Sequence, residues 1–273
     1  SKLLKGIPMR QRVFFEDLRL ELENLSSHGL TALKTGTEVE DMSFEEIRIL
    51  RALSRDICPL FVKIGGAEAR NDIRELAEIE VDAIIAPMIE SVYALEKFIE
   101  SMRDVLSPKA YRRIEKGFNL ETATAFNRMT ELLTSEAAQE LVQVTAARTD
   151  LSGSLRVSPE HEIIFELCTH IVARCRQYGL RTSVGGAIKS ASIEKLVGQI
   201  GPDTVNTRHM VMDSAVLAGN PVCVLEKHLM WEVHLYQYLA SFPSHKQATH
   251  RKRAETLLQR MTPDLALAPV AAV

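Results

Sequence analysis

The 273-residue chain has only four cysteines, and none forms a CxxC pair or stands at zinc-finger spacing from a histidine. That pattern excludes a structural zinc module and a disulfide framework. Cys168 and Cys175 are seven apart in an apolar-periodic segment and read as small core residues sharing a helix face. A reducing cytoplasm is the expected compartment. The chain also lacks a basic excess: its net charge is −3, so no nucleic acid and no membrane surface is expected as a partner. Its apolar runs fall short of the roughly 20 residues of a membrane-spanning helix, and the charged opening segment has no apolar stretch of the signal-peptide kind. Neither a Ser/His/Asp order nor a nucleotide-binding glycine loop is present. SVGGA (183–187) lacks the remaining spacing and the acidic partner.

Hydrophobic residues make up 46% of the chain, enough for a substantial core, and the length is near that of one (β/α)8 barrel. Short apolar runs alternate with amphipathic stretches, the pattern of an α/β fold. An opening helix is predicted to stop at Gly29. Strands follow at 30–35, 59–66, 81–89, 116–122, 140–147, 180–188 and 204–213. Between them, SFEEIRILRALSR carries Ser43 and Glu46 at capping-box spacing. The fold class is therefore a TIM-type (β/α)8 barrel with an N-terminal helix, over residues 1–219. A C-terminal helical extension at 220–262 is expected to form an oligomer interface, and 263–273 reads as a flexible tail. Only seven strands are found; SKLLKGI, a tail element or a neighbouring chain would supply the eighth.

The polar residues of interest follow the predicted strands, whose C-terminal ends converge on one mouth in a parallel barrel. Glu121 closes GFNLETAT and Asp150 closes LVQVTAARTD, about one βα unit apart. Two carboxylates on a shared rim suit a hard cation. Each also has a structural account, Glu121 as a helix cap and Asp150 as an Asx turn. Lys63 interrupts the apolar run LFVKIGG, and a lysine in a buried strand requires a counter-charge or a ligand. Gly65 and Gly66 after it permit a tight turn or a close approach by a ligand. Glu38 and Glu40 lie in the loop after strand one, Met88 ends strand three as a candidate substrate contact, and Arg208 and His209 lie in strand seven. His209 reads as a core or supporting histidine, and His245 and His250 as parts of a solvated basic segment.

Several segments, FVKIGGAEARNDI, VDAIIAPMIES, FNLETAT, ARTDLSGSL and VNTRHMV, together resemble the HpcH/HpaI aldolase and citrate lyase β-subunit family over roughly residues 30–213. The resemblance implies a Mg²⁺- or Mn²⁺-dependent enzyme that forms or cleaves a C–C bond through the enolate of a 2-oxo acid. An aldehyde or acyl-CoA would be its second substrate. Glu121 and Asp150 then match the metal carboxylates, and Lys63, standing where many members have arginine, would be the catalytic cation that stabilises the enolate. Ser152, Gly153 and Ser154 form a turn that would donate N–H groups to a substrate carboxylate. The histidine base found in the family's aldolases is missing from GTEVED, which leaves Glu38, Glu40 or a metal-bound water for the proton, with Arg208 among the catalytic candidates. A Claisen-type reaction of a CoA thioester and a non-catalytic barrel are the alternatives. A homo-oligomer is expected.

Overall fold

Ser43 accepts a hydrogen bond from the Glu46 backbone N–H at 3.2 Å, and the Glu46 carboxylate accepts from Ser43 N at 2.8 Å, closing the capping box that their spacing predicts. The helix that it opens belongs to a barrel seen in a computed structural model that describes residues 8–261. Helix α1 (Met9–Ser26) precedes β1 (Leu30–Gly36), and α2 (Phe44–Ser54) leads to β2 (Leu60–Lys63). Helix α3 (Arg70–Ile79) and β3 (Ala83–Ala86) follow. The predicted break at Ser107-Pro108 divides α4 (Val92–Val105) from α5 (Pro108–Arg113), because proline is favoured only in a helix's first turn. Next come β4 (Glu115–Leu120), the short helices α6 (Ala123–Asn127) and α7 (Met129–Thr134), and β5 (Gln143–Ala147). Helices α8 (Arg148–Leu155) and α9 (Glu162–Gln177) lead to β6 (Arg181–Gly185), and α10 (Ile193–Ile200) to β7 (Thr204–Asn206). The chain continues through β8 (Met210–Asp213), α11 (Ser214–Gly219), α12 (Pro221–Ala240) and α13 (Gln247–Leu258).

The eight strands form one closed barrel. Strands β1 to β7 pair in parallel, each with the next, and β3 and β5 are buried along their whole length, as strands covered on both faces must be. The source of the eighth strand departs from expectation. Residues 204–213 are not one strand but a hairpin. β8 runs antiparallel to both β7 and β1, so the barrel closes on a reversed strand. The expected donor SKLLKGI and the tail at 263–273 lie outside the described residues.

The reversal sets the path of the C-terminal helices. Strand β8 descends to the bottom of the barrel, where Asp213 N bonds Gly29 O at 2.8 Å, and the chain must then climb back. Helix α12 makes that climb: at 1.5 Å per residue, its 20 residues span about 30 Å. Trp231 on it is buried and donates to Leu18 O of α1 at 2.9 Å, while α10, α11 and α13 pack on its other sides. The apolar surface of α12 is thus largely used within its own chain. Cys168 and Cys175 share the buried face of α9, as expected. No helix of the described residues is long and apolar enough to cross a membrane.

His250, expected in a solvated segment, is instead buried at the root of α13 and bonds Glu46 at 2.7 Å, with Lys246 Nζ at 3.2 Å from the same carboxylate. Burial pushes Glu46 up, but the bonds from His250 and Ser43 and the Lys246 charge outweigh it and hold the carboxyl at about 2. A carboxyl with a depressed folded pKa stabilises the fold above its ordinary value of 4.5 and loses that contribution as pH falls toward about 2. Glu46→Gln should therefore lower stability at pH 7 by ~1–3 kcal/mol. In melting curves taken at falling pH, the gap to the parent protein should close between about 4.5 and about 2.

Candidate active site at the barrel mouth

The mouth is a cavity of about 280 Å³ walled by strand ends and the turns beyond them. Its floor contains two lysines, Lys34 of β1 and Lys63 of β2. Each interrupts an apolar strand, and the two are resolved differently. Lys63 is buried with its ammonium 2.8 Å from Glu38 Oε2 and 3.6 Å from Glu40 Oε2. Burial alone would lower its pKa, but the two carboxylates more than compensate and raise it. The requirement for a counter-charge is met from the loop after β1. Gly36 makes room for this pairing, since a Cβ there would stand 2.5 Å from Glu40 Oε2. Burial raises Glu40, yet the charges of Lys34 and Lys63 prevail and hold it below the usual carboxylate range.

Lys34 has no such partner. Its side chain makes no hydrogen bond or close ion pair among the described residues, and burial lowers its pKa against the opposing pull of Glu40. It was not among the residues singled out from the sequence. The argument that identified Lys63, a charge inside an apolar run, applies equally to LTALKT.

Asp150 lines the cavity from the first turn of α8 and is exposed, whereas Glu121 lies just behind the wall and is buried. Met88 N donates to Glu121 Oε1 at 2.7 Å, and Asn119 Nδ2 to Oε2 at 3.0 Å. Burial raises the Glu121 pKa, and the negative charge of Asp150 adds to the rise. Met88 reaches Glu121 by adopting a left-handed backbone, φ 51°, a strained setting for a non-glycine residue. The structure leaves two further oxygens of the wall, Asn119 Oδ1 and Asn206 Oδ1, buried and without a partner. The two carboxylates and these amide oxygens are all oxygen donors, the type that a hard cation prefers. No group of three or more His, Cys, Asp or Glu able to hold a metal ion occurs among the described residues, so a cation at the mouth would have to draw on amide oxygens as well.

Of the residues singled out from the sequence, Lys63, Glu40, Arg208 and Asp150 line the cavity, and Glu38 and Glu121 reach it through Lys63 and Asn119. The six expected to bind substrate stand outside its wall. Gly65 N is taken by Asp72 Oδ2 at 2.9 Å, Gly66 is beside it, and the Met88 side chain faces solvent. Ser152, Gly153 and Ser154 lie inside α8 rather than in a turn, so their N–H groups belong to the helix; Ser152 Oγ and Ser154 Oγ bond carbonyls of its earlier turns. The glycine that matters at the mouth is Gly186, with φ +88°, where a Cβ would stand 2.6 Å from Thr149 N.

Arg208 occupies the turn between β7 and β8. Glu232 of α12 fixes this turn by accepting from Thr207 Oγ1 and His209 N, both at 2.5 Å. His209 is fully buried between Tyr236 OH at 2.6 Å and Lys34 O at 3.1 Å, the supporting role expected of it, and burial presses its pKa down to about 3. Arg260, beyond α13, also reaches the mouth.

No protein-family model and no curated protein matches the sequence. Solved structures do match the fold. The chain is similar to an HpcH/HpaI aldolase from Desulfitobacterium hafniense DCB-2, with a TM-score of 0.56 and 15% identity over 76% of this chain and 86% of that one. It is also similar to an HpcH/HpaI aldolase/citrate lyase family protein from Burkholderia cenocepacia J2315, with a TM-score of 0.58 and 14% identity over 77% and 90%. The citrate synthase SbnG gives a TM-score of 0.55 and 16% identity over 78% and 89%. At these identities the likeness establishes the barrel architecture.

Lys63→Met should leave Glu38 without its ion-pair partner and Glu40 with only the non-contacting charge of Lys34, at a cost of ~3–5 kcal/mol at pH 7. Uncompensated carboxylates gain protons in the folded state, so the loss should be smaller at pH 5 than at pH 8 in chemical denaturation. An equal loss at both pH values would mean that the ammonium does not hold the pair.

Proposed function

We propose that the chain is a divalent-metal-dependent enzyme that forms or cleaves a C–C bond beside the carbonyl of a 2-oxo acid. The donor set at the rim carries the reading: Glu121 and Asp150 repel each other there, beside the unpartnered oxygens of Asn119 and Asn206. These residues would hold Mg²⁺ or Mn²⁺, both of which prefer oxygen donors. Such a cation, when bound, supplies positive charge to the carboxylate and keto oxygens of a 2-oxo acid and to its enolate. The likeness of the barrel to structures named as aldolases and a citrate synthase agrees with this reading.

The chain's own groups divide the remaining work. Proton transfer at the carbon next to the keto group falls to Lys34, whose lowered pKa makes the neutral amine more accessible than in an ordinary lysine and whose side chain has no competing partner. Glu40 is poorly suited to that task, because a carboxylate held ionised below the usual range is a weak proton acceptor. Glu38 is engaged with Lys63. Lys63 keeps the loop glutamates in place and sets a fixed positive charge under the developing enolate. Arg208, at the hairpin apex, would take the substrate carboxylate. Self-association belongs to the same reading, with the exposed Met9, Val13 and Leu20 on one face of α1 as its support.

Mg²⁺ should raise the melting temperature, and Glu121→Gln with Asp150→Asn should remove the shift; a shift that survives both changes would sink the metal assignment. Deuterium exchange into C3 of pyruvate, followed by NMR with Mg²⁺ present, tests the enolate. Lys34→Gln should slow the exchange by roughly 10²-fold or more while keeping the Mg²⁺ shift. Because the neutral amine is the working form, exchange should climb with pH up to the lowered pKa of Lys34. Undiminished exchange in Lys34→Gln would return the proton to another group.

A further inference from the structure

We infer that a second cavity, next to the mouth, is a binding site for the phosphate group of a phosphorylated small molecule. The cavity measures about 220 Å³ and lies between α13 and the β7–β8 turn. Four cationic side chains line it, Arg208, Lys252, Arg253 and Arg260, and no aspartate or glutamate does. Positions 249, 252, 253, 256 and 260 recur at three- and four-residue steps, so α13 and the turn beyond it present this set on one side. Thr249 and Thr256 add hydroxyl groups among the charges.

None of the four cations is neutralised at contact distance by a carboxylate. Arg253 donates to the carbonyl oxygens of Glu40 at 2.7 Å and Val39 at 3.4 Å, which orients its guanidinium without cancelling its charge. The side chains of Arg208, Lys252 and Arg260 make no hydrogen bond or ion pair among the described residues. Glu232 faces Arg208 and Arg260 electrostatically from behind the hairpin turn, but its Oε1 is engaged by Thr207 and His209, and burial raises its pKa. Burial and the neighbouring Arg208 push Arg260 down, so the cluster is costly without an anion.

A phosphate answers this arrangement better than a single carboxylate. It brings close to two negative charges and several acceptor oxygens, which guanidinium forks engage in pairs. Arg208 and Arg260 line both cavities, so a phosphate held here would tether a molecule whose other end reaches the mouth. The site follows from the cavity alone. Only its link to a co-substrate rests on the reaction proposed above.

Titration calorimetry with inorganic phosphate and with pyrophosphate, without metal or 2-oxo acid, tests the site apart from the reaction. Saturable binding that weakens with added salt is expected, together with a phosphate-dependent rise in melting temperature. Arg260→Gln and Lys252→Gln should each weaken binding tenfold or more, and Lys109→Gln on the exposed surface of α5 should leave it unchanged. The polycarboxylate tricarballylate should bind at least tenfold more weakly than pyrophosphate. Absence of saturable binding, equal losses in all three variants, or tighter binding of tricarballylate would overturn the proposal. Circular dichroism of each variant separates lost binding from lost folding.

Discussion

The buried carboxylate of Glu232 holds the turn on which closure of the barrel depends. Seven parallel strands leave a gap that an eighth must fill, and the chain fills it by reversing direction at residues 207–209. Thr207 and His209 on either side of the turn's apex are buried, where a polar hydrogen left unpaired is costly. Glu232 accepts two donors from the turn, and His209 is pinned between Tyr236 and the β1 backbone. Lys34, one residue into the same β1–β8 contact, is thereby set at the mouth. Barrel closure and site assembly are one structural event.

The electrostatics of the mouth follow from how each buried charge is compensated. Lys63 has two carboxylates of its own and is fixed, whereas Lys34 has none in contact and is left chemically available. Glu121 and Asp150 repel each other across the rim, and Arg208 and Arg260 do the same on the opposite wall. Apart from Lys63 and its loop glutamates, the unlike charges of the mouth are not paired at contact distance. The protein retains separate regions of unmet negative and positive potential, as expected of a surface completed by its ligands.

The alternation of apolar runs and amphipathic helices made the barrel legible in the sequence, down to the capping box at Ser43 and the proline break at 108. The hairpin was not, because TVNTRHMVMD has no glycine or asparagine-glycine turn signal, and its polar centre at 206–209 reads as part of a single strand. Its length held the clue. Ten extended residues would span about 33 Å, well beyond the neighbouring strands of three to seven residues. In the site, the need of Lys63 for a counter-charge or a ligand followed from burial alone, while its pairing with Glu38 and Glu40 emerged only from the structure. Glu121 and Asp150 were visible as polar ends of buried runs. Lys34 carried the same mark as Lys63, and Arg260 carried none, since its approach to the mouth depends on the route of two later helices. The Ser152–Ser154 segment misled because small polar residues suit a turn, while tertiary context made it helical.

The climb of α12 makes it a ruler that sets where Glu232 and Tyr236 meet the hairpin. A helix advances 1.5 Å and turns about 100° with each residue. Inserting or deleting one residue before Glu232 would swing its carboxylate away from the hairpin and, by the same rotation, move the later rim contacts of Tyr236 and α13 out of register. Length variation should therefore be tolerated in surface loops, while in this helix it should be confined to near-whole turns.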